Sequence, residues 1–132
     1  MAISLTSSLT LALPKGRIYD ELAPIMRKVG IEPEPAFFNV DDRALQFTTN
    51  IRGLSIIHVR SFDVATFVAY GAAQLGVCGS DVLEEFGYAD LYAPLDLGIG
   101  KCRLSVAEPA NLAAADDPTR WTHIRIATKY PA

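Results

Sequence analysis

The sequence predicts an α/β fold with a parallel or mixed sheet and crossover helices. Short β-like runs alternate with helical stretches along the 132 residues, as expected for strands joined by helices that cross a sheet. Residues 10–13 and residues 75–78 each lead through a glycine-containing turn into a helical pattern. Residues 54–59 are apolar on both faces, which is typical of a central strand covered by helices on each side.

The first predicted unit is a strand, a turn and a helix. Residues 10–13 form a short apolar run that predicts a buried strand. Gly30 ends the helical pattern that follows, although Pro24 lies inside it and should kink or delay the helix. The apolar residues at helical spacing are Ile18, Leu22, Ile25, Met26 and Val29.

The next segments predict two further strands and a helix. Residues 32–35 are an extended linker, and residues 43–49 alternate as a strand with Leu45 and Phe47 on one face. After the central strand, Ser61 is predicted to cap a helix whose positive end suits Asp63.

The pattern repeats once more before it changes. Residues 75–78 predict a buried strand, and the following helix runs to about Phe86 before Gly87 stops it. Residues 91–100 are rich in glycine and turn residues, and residues 101–107 predict another strand. We place a lobe boundary near this change.

The composition indicates an ordinary globular domain without the overall positive charge that would attract nucleic acid. Half of the residues are hydrophobic, and 12 basic against 15 acidic residues give a net charge of −3. No apolar run is long enough to span a bilayer, and no secretory signal is recognisable, so we expect a cytoplasmic protein. Cys78 and Cys102 lack zinc-ligand spacing and are expected to be reduced and partly buried.

The most informative turn is Lys15-Gly16-Arg17, which joins the first strand to the first helix. In α/β proteins such turns line the ligand crevice at the carboxyl ends of the strands, where backbone N–H groups attract anions. The turn is therefore a candidate phosphate site, although a basic pair at a solvated helix start has the same pattern. Arg60 follows the central strand in the same way and is a second candidate. We assign no catalytic task to His58 or His123.

Five segments of the chain together resemble the catalytic subunit of ATP phosphoribosyltransferase, the enzyme that opens histidine biosynthesis. These segments are residues 11–18, 59–64, 76–83, 96–102 and 125–130. The chain is similar to the amino-terminal portion of that family, and its sequence favours the short form.

The resemblance implies a two-lobed fold like that of type II periplasmic binding proteins. Residues 1–92 would form a first lobe that needs a returning segment to complete it, and residues 93–132 would begin an incomplete second lobe. The family joins N1 of ATP to the ribose of phosphoribosyl pyrophosphate, releases pyrophosphate and needs Mg²⁺. Its diphosphate-binding loop has no counterpart in these 132 residues, so we expect them to be inactive alone.

The resemblance also implies roles for specific residues. Lys15, Arg17 and Arg43 would be the catalytic cations, with Arg17 facing the departing pyrophosphate, and no metal ligand is assigned. Asp41-Asp42-Arg43 could equally be a surface charge cluster, and Asp81 could simply complement a helix dipole. The residues assigned to substrate binding are Gly16, Arg60, Ser61, Asp63, Gly79, Ser80 and Asp81.

Two alternative functions remain open at this level. One is a non-catalytic small-molecule-binding domain of the same fold, and the other is an assembly domain. As partners, the resemblance implies ATP, phosphoribosyl pyrophosphate, further copies of the chain and a regulatory subunit resembling histidyl-tRNA synthetase. Trp121 and Tyr130 could stack on adenine, but single aromatic residues near a lobe edge are more often packing residues.

Overall fold

The chain folds into two compact units, Met1–Gly100 and Lys101–Ala132. The structure is a computed structural model that describes residues 4–39, 41–113, 117–120, 122–123 and 125–131. Within this described part, no helix combines the length and apolar character needed to cross a membrane. The division follows Gly100, whereas the predicted lobe boundary follows residue 92, and the assignment of lobes stays a prediction.

Strands and helices alternate in the first unit, as the sequence predicts. In chain order it contains β1 (Ser4–Pro14), α1 (Arg17–Lys28), β2 (Gln46–Thr48), β3 (Arg52–Val59), α2 (Ser61–Ala69), β4 (Leu75–Gly76) and α3 (Ser80–Phe86), with a 3-10 turn at Pro35–Phe38. The second unit contains α4 (Ala110–Ala113) and a 3-10 turn at Pro118–Arg120.

The strands form one mixed sheet with the order β2-β3-β1-β4. β1 runs parallel to both β3 and β4, and β2 pairs antiparallel with β3. The predicted α/β class, mixed sheet and crossover helices are therefore confirmed. β3 is interior, as predicted, with Ile56 facing the α1 side and Ile57 facing the α2 side.

Glycines bound α1 at both ends. Gly16 has φ +85° immediately before the helix, and Gly30 has φ +75° just after it. The Ile31 N–H closes the end by donating to the Met26 carbonyl at 2.9 Å. The predicted helix is confirmed, but Pro24 does not interrupt it: its side chain is exposed and the helix runs through that position.

Helices cover both faces of the sheet, but the two faces are packed differently. On the α1 side the buried cluster is Leu13, Leu22, Met26, Phe37, Phe47 and Ile56. On the α2 side it is Ala12, Val64 and Ala73. We call these the aromatic face and the small-residue face. Their different side-chain sizes decide how closely the covering segments approach the sheet.

The strand predicted at residues 43–49 is shorter than expected. Two side chains turn the preceding loop back on itself, because Asn39 Oδ1 accepts from the Asp41 N–H and Asp42 Oδ1 from the Ala44 N–H. Arg43 therefore lies in a loop before β2. Leu45 also lies outside the strand and is 64% exposed, so its predicted placement on one strand face with Phe47 was wrong.

The strand predicted at residues 75–78 is real but is neither long nor buried. β4 contains only Leu75 and Gly76, both exposed, because it pairs with β1 on one side and forms the edge of the described sheet. An apolar sequence cannot distinguish an edge strand from an interior one, since both have the same β propensity.

The strand predicted at residues 101–107 was wrong. These residues have no regular secondary structure, and Leu104 and Val106 are highly exposed. A strand needs a neighbour for its backbone groups, and the sheet of the described residues includes none of this segment. Cys102 is exposed, contrary to the expectation that both cysteines are partly buried, whereas Cys78 is half-buried as expected.

Candidate functional site

Three strand-to-helix turns meet at one edge of the sheet. The last residues of β1 and β3, Pro14 and Val59, are register partners, so the turns that follow them begin side by side. Gly76, the last residue of β4, lies beside Ala12 on the other flank of β1. The parallel topology therefore brings the segments after Pro14, Val59 and Gly76 to the carboxyl edge, where α/β folds bind ligands.

The first turn presents two exposed cations, Lys15 and Arg17, on either side of Gly16, whose φ of +85° suits glycine. The Gly16 carbonyl starts α1 by accepting from the N–H groups of Tyr19 at 2.8 Å and Asp20 at 3.2 Å. No side chain caps this end of the helix. Arg17 Nε lies 3.8 Å from Glu21 Oε1, in a mostly solvated ion pair that leaves the guanidinium at the surface.

The loop that contains Arg43 reaches the same edge from the other direction. β2 is antiparallel to β3, so its start lies beside the end of β3, and the Leu45 carbonyl accepts from the His58 N–H at 2.8 Å. Arg43 is two residues before this contact and is exposed. Its position at the carboxyl edge agrees with the predicted role as a catalytic cation. Its exposure agrees equally with the alternative that it belongs to a surface charge cluster.

α2 begins one residue earlier than the sequence predicts. Arg60 is the cap residue of α2, with extended backbone at φ −71° and ψ 149°, and Ser61 is the first helical residue. No side chain makes a capping hydrogen bond there, so the predicted Ser61 cap was wrong. The Asp63 N–H instead donates to the Arg60 carbonyl at 2.8 Å. Asp63 lies in the first turn of α2, as predicted.

The third turn has the predicted order of glycine, serine and aspartate. Gly79 is the cap residue of α3, Ser80 begins the helix, and Gly87 ends it in the left-handed region. A Cβ on Gly79 would collide with the half-buried Asp81 carboxylate. Burial, and then the Asp81 charge, raise the pKa of the Cys78 thiol, which favours the protonated and unreactive form.

A cleft of about 280 Å³ opens at this edge on the aromatic face. Of the predicted site residues it is lined by Lys15 and Gly16 only; the others lie outside it. Its remaining lining residues are Tyr19, Asp20, Phe37, Phe38, Asn39, Asp42, Phe47 and His58. The structure thus adds an aromatic lining that the sequence analysis did not anticipate.

The rings of the cleft form a contiguous cluster. Phe37 is central: its ring centroid lies 4.0 Å from that of His58, 4.9 Å from Tyr19, 5.2 Å from Phe47 and 5.3 Å from Phe38. The separations from Tyr19, Phe47 and Phe38 are in the range of favourable aromatic pairs, and His58 lies closer still. A sequence signal existed at one position, since His58 is two residues after buried Ile56 on the same face of β3.

His58 is the chemically unusual member of this cluster. Its Nε2 atom is buried and has no hydrogen-bond partner in the described structure. Burial lowers the pKa of the imidazole below its ordinary value, and the nearby Lys15 ammonium lowers it further. Both effects favour the neutral ring, and the charged residues that line the cleft are Lys15, Asp20 and Asp42.

The described residues do not provide a protein-held metal site. They contain no group of three or more histidine, cysteine, aspartate or glutamate side chains that could hold a metal ion. Mg²⁺ commonly binds through substrate phosphates with few protein ligands. The donors among the described residues therefore do not fit a dedicated magnesium cage.

The fold and the edge define an α/β domain whose strand-to-helix turns gather cations at the carboxyl ends of its strands. The family model for ATP phosphoribosyltransferase (HisG) matches residues 60–132. The ATP phosphoribosyltransferase of Paramagnetospirillum magneticum is 68% identical over 123 residues, which are 93% of this chain and 56% of the relative. That of Rhizorhabdus wittichii is 59% identical over 127 residues, which are 96% of this chain and 58% of the relative.

The chain belongs to the ATP phosphoribosyltransferase family, so the resemblance predicted from its sequence is confirmed. It spans about half the length of the curated relatives it matches. Among solved structures, it is similar to the ATP phosphoribosyl transferase (HisG:HisZ) complex from Thermotoga maritima. The identity is 28% and the TM-score is 0.49, over 67% of this chain and 41% of the other.

Proposed function

We propose that this chain supplies the nucleotide-binding edge of an ATP phosphoribosyltransferase. The whole enzyme joins N1 of ATP to phosphoribosyl pyrophosphate and releases pyrophosphate, in the two-lobed fold that resembles type II periplasmic binding proteins. The observation that carries the proposal is the meeting of the Lys15, Arg17 and Arg60 turns at one edge of the sheet in a member of this family.

The charge of that edge fits the proposed chemistry. When pyrophosphate leaves the anomeric carbon, negative charge gathers on its oxygens while the carbon becomes positive. Fixed cations that face the leaving group stabilise this transition state more than the ground state. Arg17 has the exposed guanidinium for that role, and Lys15 and Arg43 lie at the same edge. The reaction needs no covalent nucleophile, so Cys78 has no assigned task.

The proposed enzyme uses Mg²⁺ that arrives with the phosphates of its substrates. We further propose cytoplasmic location, assembly with further copies of the chain, and a regulatory partner resembling histidyl-tRNA synthetase. Family membership supports these proposals.

A calorimetric titration of the 132-residue chain with ATP and Mg²⁺ tests the proposal. Arg43→Ala should weaken ATP binding about tenfold to a hundredfold, because a charge-assisted hydrogen bond contributes about 1.5–3 kcal/mol. Arg52→Ala is the matched control, because Arg52 is an exposed arginine at the amino end of β3, on the opposite edge. Equal losses in the two variants, or no binding to a folded chain, would contradict the proposal.

Turnover gives a second readout from the same samples. The expectation that these 132 residues are inactive alone predicts no phosphoribosyl-ATP when both substrates and Mg²⁺ are supplied. Formation of phosphoribosyl-ATP above the enzyme-free rate would refute that expectation. It would not change the conclusion drawn from the ATP titration.

A further inference from the structure

The irregular segment 96–100 packs against the first unit near the start of α1. Leu97 and Ile99 are half-buried and contact the buried cluster of the aromatic face. A Cβ on Gly100 would lie 3.8 Å from Ile18 Cγ1, so the segment passes within van der Waals distance of the first turn of α1. Residues 96–100 belong to one of the segments on which the family resemblance rests, but the proposed chemistry gives them no role.

One carboxylate ties this segment to α1. Glu21 Oε2 accepts from the Gly100 N–H at 2.8 Å, across 79 residues of sequence. A hydrogen bond to an ionised carboxylate is stronger than one between neutral groups. The donating backbone is itself held, because Asp96 Oδ1 accepts from the Gly98 N–H at 2.8 Å. Glu21 is therefore fixed at one oxygen, although its side chain is 41% exposed.

The other oxygen of Glu21 faces Arg17. Glu21 Oε1 lies 3.8 Å from Arg17 Nε. By itself an exposed pair of this kind contributes little, because two long side chains must be ordered to hold it. Here the Gly100 N–H has already ordered the carboxylate, so only the arginine remains to be restrained. The carboxylate thus joins segment 96–100 to the Arg17 guanidinium.

The stability of α1 does not account for a cation at this position. Arg17 is the first residue of α1, where the positive end of the helix dipole disfavours a positive charge. An arginine four residues before a glutamate is also the less favourable order for a helical ion pair. A role at the carboxyl edge therefore explains Arg17 better than helix stability does.

We propose that Glu21 is a positioning residue: it holds the Arg17 guanidinium at the carboxyl edge, and segment 96–100 holds Glu21 through the Gly100 N–H. The inference rests on the proposed function and deepens it, since Arg17 is the cation proposed to face pyrophosphate. A mobile arginine side chain loses rotamer freedom when it binds an anion. Restraint by Glu21 reduces that loss, because part of the ordering precedes binding.

Arginine side-chain NMR tests the hold on Arg17 without any ligand. In the natural 132-residue chain, we expect the Arg17 Nε–Hε group to be less mobile than that of Arg52, an exposed arginine at the opposite edge. Glu21→Gln should raise the mobility of Arg17 to that of Arg52, because the amide carries no charge. The Gly100 N–H should stay protected from hydrogen exchange in Glu21→Gln, since the amide oxygen still accepts, and should lose protection in Glu21→Ala.

Titration with inorganic pyrophosphate tests whether this hold affects anion binding. Asp20→Asn is the matched control, because Asp20 is the exposed acidic residue beside Glu21 in α1 and its side chain lines the cleft instead. Each variant removes one negative charge, so both gain electrostatic attraction for the anion. We expect Glu21→Gln to bind pyrophosphate about twofold to tenfold more weakly than Asp20→Asn, because only Glu21→Gln frees Arg17. Circular dichroism establishes that each variant is folded before titration.

The possible failures are distinguishable. The positioning role would be overturned if Arg17 were as mobile as Arg52 in the natural chain, or if Glu21→Gln and Asp20→Asn bound pyrophosphate equally. The proposed role of Arg17 would survive either result, provided that Arg17→Ala still weakened pyrophosphate binding. If the folded natural chain bound no pyrophosphate, or if Arg17→Ala bound it as tightly, the proposed role of Arg17 would fail and the positioning role with it.

Discussion

The two faces of the sheet are built from the same strands but are packed differently. The small-residue face packs α2 so closely that the sheet has no space for another methyl group at Gly76. The aromatic face uses large rings that fill its interior and leave an open cleft at the carboxyl edge. Close packing on one face can therefore fix the strands while the other face retains room for a ligand.

Gly76→Ala is the change with the largest expected effect on this comparison. A Cβ at Gly76 would lie 2.7 Å from Val64 Cγ1 and 2.9 Å from Val68 Cγ2, so α2 or the edge strand must move. We expect the free energy of unfolding to fall by about 1–3 kcal/mol, as for other overpacked positions. Urea denaturation measures this change.

The neighbouring variant Leu75→Ala is the control, because it shortens a side chain that is 51% exposed on the same strand. It should destabilise the chain less than Gly76→Ala does. If Gly76→Ala were as stable as the natural chain, the close approach of α2 to the sheet would be refuted.

A smaller effect is expected on the aromatic face, from the titration of His58. Its pKa is lowered in the folded chain by burial and by Lys15, so the unfolded chain binds the proton more readily. The contribution to stability is therefore present above about pH 6.5, the ordinary histidine value, and is lost as the pH falls below it.

His58→Leu should remove this pH dependence and raise the free energy of unfolding at pH 7 by about 1 kcal/mol, because it replaces an unpaired polar ring with an apolar side chain. Thermal unfolding at pH 7.5 and pH 5.5 measures both effects. His123→Leu, at an exposed position, is the control and should change neither. If the pH dependence of stability persisted in His58→Leu, a group other than His58 would be its cause.

Local patterns predicted the elements whose residues are close in sequence. α1 could be bounded because glycines flank an apolar repeat, and β3 could be placed inside the sheet because it is apolar on both faces. The meeting of the turns after Pro14 and Val59 followed from the expected parallel strands. The bounds of α1, the interior place of β3 and the meeting of the two turns depend on short-range periodicity and on the order of the elements along the chain. Both can be read from the sequence.

Other features depend on contacts between distant segments. The cleft joins Tyr19 of α1, Phe37 of a turn, Phe47 of β2 and His58 of β3, and no local pattern indicates that these four rings meet. The same cause explains the error at residues 101–107, because a local sequence can suggest a strand but cannot supply the neighbour that a strand needs. Edge and interior strands were confused at β4 for a similar reason.

We propose that the carboxyl edge of the sheet binds nucleotide. The most direct measurement is the map of backbone amide chemical-shift changes when isotope-labelled chain is titrated with ATP and Mg²⁺. We predict that the largest changes occur at residues 15–19 and 60–63, with smaller ones at residues 79–81. Changes concentrated at residues 50–54, on the opposite edge, or an absence of changes in a folded chain, would contradict nucleotide binding at the carboxyl edge.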